Sequence, residues 1–150
     1  MSASGPLGGR VYIADTSVWV RWARRAIPDA LNAEWEAALE GNLIARSPLI
    51  TLELTSAVTD EQYEWWVSRL AGLTRDFAPD KHSSAVAMQG FHRLRRAHQH
   101  LGVSPTDLFT AAIASLERVA VLHQDEHYDR LRDVGKIEFD SCWLDATRSI

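Results

Sequence analysis

The chain has 150 residues, 46% of them hydrophobic, and a formal net charge of −4 at pH 7. This length supports one well-buried core and excludes two domains of ordinary size, and the acidic balance excludes a general electrostatic attraction for nucleic acid. A single cysteine, Cys142, excludes an internal disulfide and a zinc site built from cysteines, and it fits a reducing, cytoplasmic location. No apolar run approaches membrane-spanning length, so we expect no membrane association.

The first ten residues and the stretch that follows them differ sharply in character. Residues 1–10 lack an apolar core, and we expect them to form a disordered leader to a single domain, residues 11–150. Residues 11–14 are uncharged and rich in β-branched and aromatic side chains, which predicts a buried strand that ends at Asp15. In a parallel α/β sheet the carboxyl ends of the strands form the ligand-binding edge, so Asp15 is a candidate site residue. An ordinary helix N-cap is the alternative for Asp15.

The remaining elements follow from hydrophobic periodicity and from helix start and stop signals. In chain order we predict helices over 18–26 and 28–39, a strand over 42–46, helices from 48 and over 59–71, a weak strand over 73–78, helices over 79–101 and 105–116, a strand over 119–122, a helix over 126–134 and a strand over 136–143. Strands that alternate with helices predict an α/β fold, in which helices cover both faces of a mainly parallel sheet.

Lone acidic residues recur near the carboxyl ends of these strands. Asp125 follows the strand over 119–122, much as Asp15 follows the first strand. Asp107 falls in the first turn of a helix, where the helix dipole alone would explain a carboxylate. Glu53 interrupts a largely apolar helix, and taken alone it is explained as a helix residue whose charged end is solvated. Together, carboxylates that repel one another at low dielectric are best neutralised by a hard divalent cation, and oxygen ligands suit Mg²⁺ or Mn²⁺.

Each of these acids belongs to a short motif. The motifs are Asp15-Thr16-Ser17; Ser47-Pro48 followed by Leu52-Glu53-Leu54; Pro105-Thr106-Asp107-Leu108 followed by residues 111–114; and Val121-Leu122-His123-Gln124-Asp125. In order and spacing they resemble the PIN domain, and in particular the VapC-type toxins of bacterial toxin–antitoxin pairs, over roughly residues 11–143. The resemblance implies a PIN-like three-layer α/β fold around a mainly parallel sheet of about five strands.

The resemblance also implies a function. It implies a magnesium-dependent endoribonuclease, with Mn²⁺ as a substitute ion, that acts as the toxin of a toxin–antitoxin pair and binds a cognate antitoxin. Thr16 or Ser17 would orient a carboxylate or a water near the ion. The residues carried over as catalytic and metal-binding are Asp15, Glu53, Asp107 and Asp125.

One departure from the family pattern is His127. Many relatives place a second acid two residues after the position matched by Asp125, and here that residue is histidine. A neutral imidazole adds no negative charge, so we expect a single tightly held ion, with His127 bordering the site. An ordinary surface histidine at the start of a helix is the alternative.

Basic and aromatic residues suggest further surfaces. Arg21 and Arg24, and Arg93 and Arg96 in a basic helix, are candidates for contacts with RNA phosphates, with solvated helix faces as the alternative. The chain also has six tryptophans. Core packing is the first explanation for each of them, and the resemblance suggests a second, a homodimer surface and an antitoxin groove with aromatic anchors.

Two other functions fit part of the pattern. A phosphatase of the haloacid-dehalogenase type also places an aspartate after the first strand, but it needs a second aspartate two residues later, where Ser17 stands. A catalytically weak PIN-like protein that only binds protein or RNA would be expected to lack some of the acids, and all four are present. Metal-dependent RNA cleavage by the purified protein would separate these functions.

Overall fold

Short segments form a five-stranded sheet in the computed structural model, which describes residues 7–145. The strands are β1 (Tyr12–Ala14), β2 (Ile44–Arg46), β3 (Arg75–Asp76), β4 (Ala120–His123) and β5 (Ser141–Trp143). They are all parallel, in the order β3-β2-β1-β4-β5. Every residue of β1 and β4 is buried. Because consecutive strand residues point to opposite faces, this burial shows that both faces of the sheet centre are covered.

Seven helices connect the strands within residues 7–145. They are α1 (Thr16–Ala23), α2 (Asp29–Glu40), α3 (Pro48–Thr55), α4 (Asp60–Leu73), α5 (Lys81–Arg96), α6 (Pro105–Glu117) and α7 (His127–Asp133). The predicted α/β architecture with a parallel five-stranded sheet is therefore confirmed. None of these helices is both long and apolar enough to cross a membrane.

Some element boundaries differ from the prediction. Helix α5 ends at Arg96 rather than near residue 101, because the chain turns at His98, which has a left-handed φ of 56°. Helix α4 continues through Gly72, and it ends where Thr74 becomes extended. The last strand is shorter than predicted because only residues 141–143 pair with β4; the preceding segment is a loop that still buries Ile137.

The predicted disordered leader is only partly covered by the structure. Residues 1–6 lie outside the described residues, as do residues 146–150. Leu7, however, is 4% exposed and belongs to the core, and Arg10 forms a 3.0 Å ion pair with Asp140. Leu7 and Arg10 therefore contact the domain, while the disordered leader as a whole remains a prediction.

Five of the six tryptophans form one continuous cluster from core to surface. Trp19 and Trp35 are fully buried, and their rings meet edge to face at 5.0 Å. Trp66 is also buried, whereas Trp22 is partly buried and Trp65 is 41% exposed. The outer rings contact the inner ones at centroid distances of 5.0 to 6.4 Å, so most of this aromatic surface is used in packing.

Candidate metal centre

The sheet brings two of the predicted acids to the same edge. Strands β1 and β4 are neighbours in parallel register, with Ala14 opposite Leu122. Asp15 is the first residue after β1, and its backbone N–H continues the ladder by donating to the Leu122 carbonyl at 2.9 Å. Asp125 follows two residues after the end of β4. Both carboxylates therefore leave the sheet at its carboxyl edge, where parallel α/β folds bind ligands.

Asp15 is held by hydrogen bonds on both of its oxygens. It is 3% exposed and caps α1, accepting bonds at Oδ2 from the Ser17 N–H at 3.0 Å and from the Ser17 hydroxyl at 2.6 Å. The Tyr128 hydroxyl donates to Oδ1 at 2.6 Å. The Ser17 hydroxyl also accepts from the Gln124 N–H at 3.0 Å, which ties the end of β1 to the end of β4. Thr16, also predicted near the site, has a buried hydroxyl without a hydrogen-bond partner among the described residues.

Tyr128 is a site residue that sequence reasoning missed. Its side chain is fully buried, and burial together with the neighbouring Asp15 carboxylate raises the pKa of the phenol well above its usual value. Tyr128 therefore remains a hydrogen-bond donor and fixes the orientation of Asp15. No local pattern distinguishes it from an ordinary core tyrosine, because its partner lies 113 positions away in the chain.

Asp107 reaches the same edge through the cap of α6. Ser104 and Asp107 form a capping box, in which the Asp107 N–H donates to the Ser104 hydroxyl and the Ser104 N–H donates to Asp107 Oδ2, both at 3.1 Å. Burial is the main factor that raises the pKa of Asp107 to about 6, and the charges of Asp15 and Asp125 raise it further. The Ser104 hydrogen bond and His127 oppose this shift.

His127 completes a group of three potential ligands with Asp107 and Asp125. One ligand atom from each residue lies within 4.8 Å of the others. His127 Nδ1 is 3.1 Å from Asp125 Oδ1 and 3.3 Å from Asp107 Oδ2, and the His127 backbone N–H donates to Asp125 Oδ1 at 2.9 Å. His127 therefore lies beside Asp107 and Asp125, and a role for it at a metal site remains a prediction.

The donor set fits a divalent cation. His127 Nδ1 is buried, and it forms no hydrogen bond of normal geometry with any residue that the structure describes. Each of the two facing carboxylate oxygens accepts only one backbone N–H among the described residues, the nitrogen has no donor or acceptor partner of normal geometry, and the negative charge of Asp125 raises the pKa of buried Asp107. A cation between them would relieve both conditions.

A second histidine, His123, contacts Asp125 and was also not predicted as a site residue. Its Nδ1 accepts the Asp125 N–H at 3.2 Å, and its ring lies 4.8 Å from that of Tyr128 and 4.9 Å from that of Trp143. Burial lowers the pKa of His123 to about 4, so the ring is neutral at physiological pH. It follows that His123 positions Asp125 without adding charge.

The structure does not place Glu53 in this group. Glu53 lies on α3, which packs against α1 and α6, and its side chain is exposed between exposed Leu52 and buried Leu54. Its role as a fourth acid remains a prediction.

The predicted RNA-binding arginines are spread over the surface. Arg24 and Arg96 are exposed, and Arg21 is partly exposed. Arg93 donates from Nη1 to the Gly135 carbonyl at 3.2 Å, which is a structural bond between α5 and the loop after α7. A part in RNA binding remains a prediction for all four arginines.

Comparison with known proteins agrees with this fold. The PIN-domain family model matches residues 12–134. Ribonuclease VapC18 of Mycobacterium tuberculosis is 32% identical over 123 residues, which cover 81% of this chain and 87% of the relative.

Solved structures share the fold. A VapBC-1 structure from nontypeable Haemophilus influenzae has a TM-score of 0.69 at 15% identity, covering 91% of this chain and 98% of that one. VapBC2 from Rickettsia felis, bound to a DNA fragment from its promoter, has a TM-score of 0.66 at 14% identity, covering 87% and 98% of the two chains. Because the family model spans most of the chain and a relative is 32% identical over most of its length, this chain belongs to the PIN-domain family.

Proposed function

We propose that this protein is a metal-dependent endoribonuclease that hydrolyses RNA phosphodiester bonds and acts as the toxin of a toxin–antitoxin pair. The observation that carries the proposal is the group of Asp107, Asp125 and His127, with Asp15 beside it, at the carboxyl edge of the sheet. The relative at 32% identity is itself named a ribonuclease. A binding module would have no need for this converging set of acids, and a phosphatase of the haloacid-dehalogenase type would require an aspartate in place of Ser17.

The ion we propose is a divalent cation, Mg²⁺ or Mn²⁺. When bound, it would supply Lewis-acid chemistry, polarising the phosphodiester and making water a better nucleophile. Asp107 and Asp125 would hold the ion, with Asp15 and Glu53 completing the acidic set. Ser17 and Tyr128 keep the Asp15 carboxylate in one orientation by donating to its two oxygens.

The macromolecular partners we propose are RNA, a cognate antitoxin and a second copy of the chain. The solved relatives include VapBC toxin–antitoxin complexes. An antitoxin arginine that pairs with the carboxylates would displace the metal and inhibit by occupying the site. We also propose a homodimer in a cytoplasmic location. Light scattering tests the dimer, and a monomer at high concentration would contradict it.

The proposal is tested with Asp15→Asn and Asp107→Asn. Each variant should abolish cleavage of an end-labelled mixed-sequence RNA, because each removes one of the clustered carboxylates. Asp133→Asn is a matched control, since Asp133 is a 65% exposed acid in α7 that pairs only with Arg132 among the described residues. It should cleave at the wild-type rate.

The same assays separate the alternatives. Wild-type cleavage by Asp15→Asn or Asp107→Asn, with contaminating nuclease excluded, would contradict the assignment. RNA binding without cleavage by the wild-type protein would identify a binding module. Hydrolysis of a phosphate monoester, but not of RNA, would identify a phosphatase.

A further inference from the structure

The position of His127 Nδ1 matches that of a metal ligand rather than that of a neighbour of the site. Ligand atoms that are adjacent around an octahedral ion with bonds of about 2.1 Å lie about 3 Å apart. His127 Nδ1 is 3.1 Å from Asp125 Oδ1 and 3.3 Å from Asp107 Oδ2. A buried nitrogen without a well-formed hydrogen bond is therefore already at ligand spacing from two carboxylate oxygens.

The imidazole ring is held in this orientation from both sides. On the side of the site, the His127 N–H donates to Asp125 Oδ1 at 2.9 Å, so one carboxylate oxygen contacts both the backbone and the ring. On the other side, Nε2 lies against Gly102, where an added Cβ would be only 3.2 Å from Nε2. Gly102 has a φ of 85°, a conformation that favours glycine. The ring thus fits a space that is kept open by the glycine.

We propose that His127 Nδ1 is a nitrogen ligand of the metal ion and that the site consequently selects first-row transition ions such as Mn²⁺ and Co²⁺ over Mg²⁺. The proposal rests on the proposed function only in placing the ion at the same site. Mg²⁺ favours oxygen ligands and high negative charge. Mn²⁺ accepts nitrogen as well as oxygen ligands, and ions later in the first row, such as Co²⁺, bind mixed nitrogen and oxygen sites more tightly than Mn²⁺ does. An acid at this position would add a charge and an oxygen; His127 instead supplies a neutral nitrogen.

The direct test is the coordination of bound Mn²⁺. Pulsed electron paramagnetic resonance of the Mn²⁺-loaded protein should detect a directly bound ¹⁴N nucleus, and labelling with ¹⁵N-histidine should replace that signal. His127→Gln should still fold, because it keeps a side chain of similar size, and it should lose the nitrogen signal. His92→Gln, which changes an exposed histidine of α5, should keep it.

Metal affinity gives a second test that does not depend on activity. By isothermal titration, His127→Asp should tighten Mg²⁺ binding and reduce the ratio of the Mg²⁺ to the Mn²⁺ Kd by about tenfold or more, the scale on which residues around a metal alter its affinity. His92→Gln should leave the ratio unchanged.

The outcomes distinguish this proposal from the proposed function. If Mn²⁺ binds to the wild-type protein without a nitrogen signal, or if the affinity ratio in His127→Asp equals that of the wild type, His127 is not a ligand and the metal-dependent nuclease still stands. If neither Mg²⁺ nor Mn²⁺ binds to the wild-type protein, both proposals fail.

Discussion

At Asp107, burial in the fold disfavours the negative charge that a metal ligand needs. Its folded-state pKa of about 6 lies above the ordinary value of 3.8, chiefly because burial disfavours the carboxylate. A raised carboxyl pKa means that this residue favours the folded state below pH 3.8 and loses that contribution as the pH rises through about 6. At neutral pH without metal, ionised Asp107 therefore destabilises the fold.

We predict that Asp107→Asn melts no lower than the wild-type protein at neutral pH in EDTA. Asparagine removes the charge and retains an oxygen that can accept the Ser104 N–H. The difference in Tm should disappear below the ordinary aspartate pKa, where the wild-type residue is protonated in both states. Thermal melts of the two proteins at matched pH test this expectation, and a variant that melts well below the wild type at neutral pH would contradict it.

The two proteins must be compared at each pH, because the contribution of His123 to stability changes with pH in the direction opposite to that of Asp107. Its pKa falls from 6.5 to about 4 on folding, so it takes up a proton more readily in the unfolded chain. Stability from His123 is complete above pH 6.5 and is lost as the pH falls toward about 4. The pH dependence of the wild-type Tm alone would therefore hide both effects. Because His123 is present in both proteins, its contribution cancels in the Tm difference between them.

At the scale of elements, helix α6 holds the candidate ligand Asp107 within the capping box at its N-terminus. The Ser104 hydroxyl accepts the Asp107 N–H at 3.1 Å, so the bond that starts the helix also positions the backbone of a candidate ligand. Helix α4 has a comparable capping box, in which the Thr59 hydroxyl accepts the Gln62 N–H at 3.2 Å, at an exposed position. The two helices thus offer a matched pair of caps, one at the candidate site and one at an exposed helix start.

We predict that Ser104→Ala and Thr59→Ala each destabilise the protein by about 1 kcal/mol, the usual effect of removing an N-cap hydroxyl. Only Ser104→Ala should also weaken metal binding, because only that cap positions a candidate ligand. Denaturant unfolding and isothermal titration measure the two quantities separately. Equal metal affinities in the two variants would show that the α6 cap is purely structural.

At the scale of the whole molecule, the candidate metal centre joins distant parts of the chain. Asp15 follows β1, Asp107 lies in α6, and Asp125 and His127 lie between β4 and α7. The unfolded chain has no such group, so an ion that binds here favours the folded state by mass action.

We predict that Mg²⁺ or Mn²⁺ at millimolar concentration raises the Tm of the wild-type protein and that EDTA reverses the increase. Asp107→Asn should show a much smaller increase, while Asp133→Asn should behave like the wild type. Differential scanning fluorimetry measures both. No increase in the Tm of the wild-type protein up to ~10 mM of either ion, far above the range in which such a site would be useful, would assign the acids a structural role.

Local sequence determined the elements and the positions of most candidate ligands within them. The uncharged stretch before Asp15 indicates a buried strand, and the Ser104-Pro105 pair indicates the start of α6, because strand periodicity and helix capping depend on residues close together in the chain. The resemblance to PIN domains rests on the same local motifs. The early end of α5 and the short β5 were not predicted, since they depend on a left-handed residue and on pairing with β4.

Tertiary structure alone decided which side chains meet. Tyr128 contacts Asp15 across 113 positions of sequence, and His127 faces Asp107 from a different helix. Neither contact leaves a periodic or capping signal, because each depends on how α6 and α7 pack around β4. The exposure of Glu53 has the same origin: the helix was predictable, but the side of α3 that faces solvent was set by packing between helices.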